Sequence, residues 1–316
     1  MVTPLGTGSD RRGDRRNDWR AEALQQKLGH ELPGLRVQVL ASVDSTSTRL
    51  LEQCSVHPEP QFAPVLLVAE NQTGGRGRHG RTWHSARGAS LTFSLALPLQ
   101  SANGGLSLAV GVALAEALDA PGAATPRLML KWPNDLWLLD APDAACRIGH
   151  PFAGPTERNP GRKLGGVLIE TVSRGAQRIG VIGIGLNVLP LAVQDASSGV
   201  ANLQEIHPQL SASQALHRVA LPLVRALRRF ERDGFVAFEE RFRARDLLFG
   251  RDVVAGALHG VAHGVASNGA LRLRCGQGPD AQLHQIVSGE VSVRLSPHVQ
   301  AKAHSGHAAA APLAPC

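Results

Sequence analysis

A chain of 316 residues with 43% hydrophobic and 19% charged side chains can fill a core, which excludes a fibrous or fully disordered protein. No segment approaches the ~18 uninterrupted apolar residues of a membrane helix, and residues 1–30 hold no apolar run fit for a signal peptide, so a soluble cytoplasmic protein without a membrane partner is expected. The net charge of +7 and the pI near 10.0 attract phosphate in general, but much of the excess lies in Arg11, Arg12, Arg15 and Arg16 and in the arginine-rich stretch 225–245, so no nucleic-acid partner is expected.

Residues 1–17 are polar and charged and read as a disordered tail. Residues 19–28 form a short amphipathic pattern stopped by Gly29, and residues 35–39 alternate like a strand. Asp44, Ser45, Thr46 and Ser47 offer caps for a helix running to about Gln53. The apolar run 64–70 suits a buried strand, a Gly/Arg loop follows at 73–82, and residues 89–97 read as the next strand. Residues 106–118 are apolar nearly all round, the mark of a buried helix. Two strands, 128–132 and 135–138, are broken by a turn at Pro133 and Asn134. Residues 141–162, rich in Pro, Gly and Ala, read as an insertion loop, and strands follow at 163–172 and 178–185. Ser211 caps a helical region, 212–248, interrupted near Gly234. From Gly250 to Leu295 short β runs alternate with Gly as in a small barrel, and residues 296–316 read as a second disordered tail. The pattern is α+β: a mixed catalytic unit over 18–248 and a small β unit over 249–295.

The densest local signal is the loop Gly75-Arg76-Gly77-Arg78-His79-Gly80-Arg81, ahead of Trp83. Gly75, Gly77 and Gly80 satisfy the dinucleotide-binding string, but no helix directly follows and residues 84–115 contain no acidic side chain, so that reading fails. Glycines that let backbone N–H groups approach an anion, with three arginines beside them, suit a bound phosphate; a surface loop with solvated arginines is the plainer reading. No GxxxxGK[ST], HExxH or GxSxG string occurs, and the 13 histidines do not cluster at metal spacing. Cys54, Cys146, Cys275 and Cys316 contain no CxxC pair, so neither a zinc ribbon nor a dithiol redox site is supported. Lys131-Trp132-Pro133-Asn134-Asp135 sets a lysine, an amide and a carboxylate at one strand–turn–strand junction, where Asp135 could hold Mg²⁺ or simply satisfy a tight turn. Lys163-Leu164-Gly165-Gly166 leads a buried strand with a lysine, and Gly183-Ile184-Gly185-Leu186-Asn187 ends a glycine-rich strand in an amide.

Taken in order, Asp44-Ser45-Thr46, the arginine loop, the Lys131–Asp135 junction, Lys163–Gly166 and Gly183–Asn187 resemble the motifs of the biotin protein ligase family. Gly289-Glu290-Val291-Ser292-Val293-Arg294 resembles the end of that family's SH3-like barrel. The resemblance implies a class II synthetase-like catalytic domain with an SH3-like C-terminal domain. It also implies formation of biotinyl-5′-AMP from biotin and ATP, with Mg²⁺, and transfer of biotin to a lysine of a biotin carboxyl carrier protein. By resemblance, Ser45, Thr46, Ser47, Gln72, Arg76, Gly77, Arg78, Lys163 and Gly166 would contact biotin. Arg76, Arg78, Arg81, Trp83, Lys131, Asn134, Lys163 and Asn187 would contact ATP or the adenylate, Asp135 would hold the metal, and Lys163 and Arg78 would be catalytic. Ser47 stands where the family usually has Asn, and the gap between Asp135 and Lys163 is longer than usual. Lipoate and octanoate transferases resemble the same catalytic fold and stay open as an alternative. The stretch before the first motif is too short for the winged helix-turn-helix of bifunctional members, so a monofunctional ligase rather than a biotin-responsive repressor is expected, with a homodimer left open.

Overall fold

The computed structural model describes residues 18–56, 62–100, 104–119, 126–140, 161–174, 177–191 and 199–293. Both expected tails, Cys146 and Cys316, and all but the last two residues of the expected insertion lie outside the described residues.

A seven-stranded sheet forms the catalytic unit, in the order β1-β2-β3-β7-β6-β5-β4. Its strands are β1 (Arg36–Leu40), β2 (Val65–Ala69), β3 (Ser90–Pro98), β4 (Leu128–Lys131), β5 (Asp135–Leu138), β6 (Arg162–Arg174) and β7 (Gln177–Asn187). Only β1 and β2 run parallel; every other neighbour is antiparallel. The helices are α1 (Ala21–Gly29), α2 (Thr46–Val56), α3 (Leu106–Leu118), α4 (Ala212–Asp233) and the short α5 (Glu239–Arg243).

The two faces of this sheet differ in chemistry. Successive strand side chains point to opposite faces. Leu91, Phe93, Leu95 and Leu97 of β3, with Ile182, Ile184 and Leu186 of β7, enter the main core beneath α1, α3 and α4. The alternate residues face α2, and there Ala96, Ile179 and Val181 pack with Leu50 and Cys54. Continuing along that second face, β3 offers Ser94 and Thr92, and β7 offers Gly183 and Gly185. The apolar patch under α2 therefore gives way to small and polar residues beyond the helix N-terminus. α2 is capped there by Ser45, whose hydroxyl accepts from the Thr48 amide at 3.3 Å.

α4 begins at the expected cap, Ser211, which accepts from the Gln214 amide at 3.2 Å, and its end at Gly234 falls where the break was expected. The helical region does not continue to 248. After Arg243 the chain leaves the helix and bonds to the edge of β4, with the Leu130 amide donating to Arg245 and the Leu247 amide donating to Leu130. The unpaired edge of β4 competes successfully for these backbone groups.

The small β unit has five antiparallel strands in the order β11-β10-β9-β8-β12: β8 (Asp252–Ala255), β9 (Leu258–Val265), β10 (Leu271–Cys275), β11 (Gln282–Ile286) and β12 (Val291–Val293). Two glycines let it seat tightly on the catalytic unit. A Cβ on Gly269 would lie 2.3 Å from the Gly105 Cα, and one on Gly104 would lie 2.3 Å from the Asn268 carbonyl oxygen. The Trp132 indole also donates to the Gly269 carbonyl at 3.0 Å, tying the β4–β5 turn to this unit. Among the described residues, no helix is long and apolar enough to cross a membrane.

Candidate active site

A cavity of about 340 Å³ opens on the α2 side of the sheet, walled by the α2 N-terminus, β5, β6, β7, the arginine loop and residues 290–292 of the small unit. Its inner end is a hydroxyl cluster. Thr46 Oγ1 lies 2.7 Å from Ser94 Oγ, and Ser47 Oγ lies 3.0 Å from the same atom. The Gln72 carboxamide oxygen accepts from the Thr46 amide at 2.8 Å and from its hydroxyl at 3.0 Å. Gly183 makes room for this cluster, since a Cβ there would stand 2.4 Å from Ser47 Oγ. Hydroxyls can donate and accept, so this end suits a neutral group carrying both functions.

The middle of the cavity is charged. Lys163 Nζ lies 2.8 Å from Asp135 Oδ1. Gly166 lies beside this pair: a Cβ there would stand 3.3 Å from Asp135 Oδ1 and 3.8 Å from Lys163 Cε. Lys131 Nζ sits 4.8 Å from the centre of the Trp137 ring. Burial pulls the Lys131 pKa below the ordinary lysine value; Asp135 opposes that shift and Lys163 reinforces it. Asn134 is fixed by donating to the Val167 carbonyl at 2.8 Å. Arg76, Arg78, Arg81, Lys131 and Lys163 line the walls with Asp135 and Glu290, and Glu170 pairs with Arg76 from outside the lining, so positive charge is in excess and the cavity favours an anion.

The arginine loop is a small ordered hairpin. The Gly77 amide donates to the Arg81 carbonyl at 2.7 Å, the Trp83 amide donates to the Gly75 carbonyl at 2.9 Å, and His79 and Gly80 make the tip with φ of 53° and 74°. Each arginine docks elsewhere. Arg76 meets Glu170 at 2.8 Å and Thr48 Oγ1 at 3.3 Å; Arg78 reaches Asn134 Oδ1 at 3.5 Å; Arg81 meets Glu290 at 2.5 Å. Burial lowers the Arg78 pKa from its usual value, against the pull of Asp135 and Glu290. Trp83 lies over the glycine strand, where a Cβ on Gly185 would be 2.4 Å from Trp83 Cε2, and its buried indole nitrogen has no acceptor among the described residues.

Ser45, Thr46, Ser47, Gln72, Arg76, Gly77, Arg78, Arg81, Trp83, Lys131, Asn134, Asp135, Lys163 and Gly166 all border this one cavity. Asn187 does not. Its amide is turned behind the wall, donating to the Ala201 carbonyl at 3.1 Å and the Lys163 carbonyl at 3.4 Å, so it holds backbone rather than facing ligand. Arg76 is also less available than expected, because Glu170 engages its guanidinium. Sequence reasoning missed Ser94, which β3, buried on both faces, does not mark by alternation, and Glu290 as a wall residue, which no local pattern announces. Among the described residues no group of three or more His, Cys, Asp or Glu side chains could hold a metal on its own.

A family model described as "Biotin/lipoate A/B protein ligase family" matches residues 39–187. The chain is 32% identical over 281 residues to "Bifunctional ligase/repressor BirA" of Escherichia coli, covering 85% of this chain and 77% of that protein. It is 27% identical over 257 residues to "Biotin--[acetyl-CoA-carboxylase] ligase" of Paracoccus denitrificans, covering 75% of this chain and 93% of that one. Among solved structures, the biotin protein ligase from Aquifex aeolicus in complex with biotin and ATP superposes with a TM-score of 0.62 at 26% identity, covering 82% of this chain and 99% of that chain.

Proposed function

Since the chain belongs to the biotin protein ligase family, we propose that it joins biotin to ATP as biotinyl-5′-AMP and then transfers biotin to a lysine of a biotin carboxyl carrier protein. The observation that carries the reading is the Lys163 amine standing in the same cavity as the docked arginine hairpin.

A carboxylate is a poor acyl donor, and adenylation gives it a leaving group. A carboxylate oxygen of biotin attacks the α-phosphorus, and the bond to pyrophosphate breaks. Two anions must meet for this, so positive charge fixed in a confined site lowers the barrier. Lys163, Arg78 and Lys131 supply that charge in our reading. The hydroxyls of Thr46 and Ser47, held from behind by the buried Ser94, with Ser45 and Gln72 beside them, take the ureido ring, whose carbonyl accepts and whose N–H groups donate. Asn134, Arg81 and Trp83 lie on the nucleotide side, and the hairpin excludes water that would hydrolyse the adenylate. In the second step the acceptor amine attacks the carbonyl carbon, AMP departs, and the amine loses a proton.

Among the described residues Asp135 is the one carboxylate on the sheet side of the cavity; beside Lys163, at 2.8 Å, it is the residue that would hold a Mg²⁺ ion, which prefers oxygen ligands. Such an ion would neutralise phosphate charge.

The test is mass spectrometry of a purified carrier domain after incubation with the protein, ATP, Mg²⁺ and biotin. A single added biotinyl group on lysine is expected. Modification with lipoate or octanoate but not biotin would move the assignment to the related transferases.

A further inference from the structure

β6 carries an extra residue beside the reactive lysine. Leu136 pairs with Gly165 but Trp137 pairs with Lys163, so Leu164 is bulged. By plain alternation Lys163 would share a face with Gly165, opposite Gly166 and Leu168. The bulge turns it over, and Lys163, Gly166 and Leu168 all border the cavity.

A bulge interrupts the ladder, so something else must hold the strand start. That support is the segment 199–201. The Lys163 amide donates to the Gly199 carbonyl at 3.3 Å, and the Ala201 amide donates to the Lys163 carbonyl at 2.9 Å. The neighbouring Arg162, which does not border the cavity, braces this segment. Its Nη1 donates to the Val200 carbonyl at 3.1 Å, and its stem packs on Gly199, where a Cβ would be 2.9 Å from Arg162 Cγ. Glu205 grips both Nη atoms, at 3.1 and 2.5 Å, and itself accepts from the Asn202 amide at 2.9 Å. Asp140, at the end of β5, accepts from Arg162 Nε at 2.6 Å.

We propose that Arg162, braced by Glu205, is a positioning residue that clamps residues 199–201 to the start of β6 and so aims the Lys163 amine into the cavity. The proposal rests on the reading that Lys163 assists adenylate formation. Arg162 touches no substrate; it acts through the main chain of its neighbour.

The test is biotin-dependent exchange of pyrophosphate into ATP for Arg162→Ala and Glu205→Gln, each made in the unmodified and the Lys163→Ala backgrounds. In the unmodified background, Arg162→Ala is expected to lower kcat about tenfold while KM for biotin moves less than about twofold. With Lys163 already replaced, the same change is expected to cost less than about twofold, because residues acting as one unit are non-additive. Should Arg162→Ala fail to fold, Glu205→Gln keeps an acceptor for Arg162 and is expected to show the same background dependence at smaller size. Equal losses in both backgrounds, or a loss confined to KM, would overturn the positioning role alone. Absence of biotin-dependent exchange in the unmodified protein would overturn the ligase reading, and this proposal with it.

Discussion

Replacing Gly185 with alanine separates the hairpin from the sheet beneath it. The new methyl carbon would stand 2.4 Å from Trp83 Cε2 and 2.7 Å from its Nε1. Carbon atoms pack at about 3.5–4.0 Å, so the ring must withdraw by roughly 1 Å. β7 cannot yield, being laddered to β3 and β6 on both sides. Trp83 can, because it is only half-buried on a loop and its indole nitrogen loses no hydrogen bond by moving. Overpacking of this kind costs about 1–3 kcal/mol. That cost falls on the closed hairpin rather than on the fold, so retention of a bound adenylate should weaken roughly tenfold or more, at about 1.4 kcal/mol per tenfold. The assay loads the protein with biotinyl-AMP and follows release on dilution, beside a thermal melt. Release at the unmodified rate would refute the reasoning. So would a Tm loss beyond about 4 °C, the mark of a sheet destabilised by roughly 1 kcal/mol or more.

Lys163→Ala removes a charge-assisted contact worth about 1.5–3 kcal/mol, so pyrophosphate exchange should fall roughly 10–100-fold; exchange at the unmodified rate would remove Lys163 from the chemistry. Glu290→Gln breaks an exposed ion pair with Arg81, so Tm should hold while adenylate release rises a few-fold at low salt and not at high salt; an effect independent of salt would point away from the pair. Burial pushes the Asp246 carboxyl up from 3.8 to about 7. Its contribution is therefore fully present below about pH 4 and is lost as pH rises through about 7. Asp246→Asn should flatten that fall and be more stable to unfolding than the unmodified protein at pH 8, by at most about 4 kcal/mol; parallel pH–stability curves from denaturant unfolding would contradict it.

The motifs that border the cavity were legible because each is local in the chain. A glycine-arginine hairpin, a lysine-to-aspartate turn and a lysine-led strand announce themselves in windows of a few residues. The helix starts at Ser45 and Ser211 were legible for the same reason, since caps act over one turn. What stayed hidden depends on contacts across the fold. Ser94 looked like one more residue of a buried strand, because β3 is covered on both faces and hydrophobicity blurs its alternation. Glu290 reaches Arg81 only through the docking of the small unit. Asn187, placed by resemblance at the nucleotide, instead serves two carbonyls, a fact that depends on where Ala201 returns. Leu164 carries no sign of its bulge in composition, since register is a property of paired strands.

The cavity wall that includes Glu290 and Val291 comes from the last described strand and the residue before it. A ribosome therefore finishes the hydroxyl cluster, the lysine and the hairpin long before the hairpin has its outer anchor. A chain cut short just ahead of Glu290 would lose that wall, the partner of Arg81 and the edge strand β12 with its buried Val291 together. Premature termination near the 3′ end of the message would thus strip one wall of the cavity while leaving the codons for all its other lining residues intact.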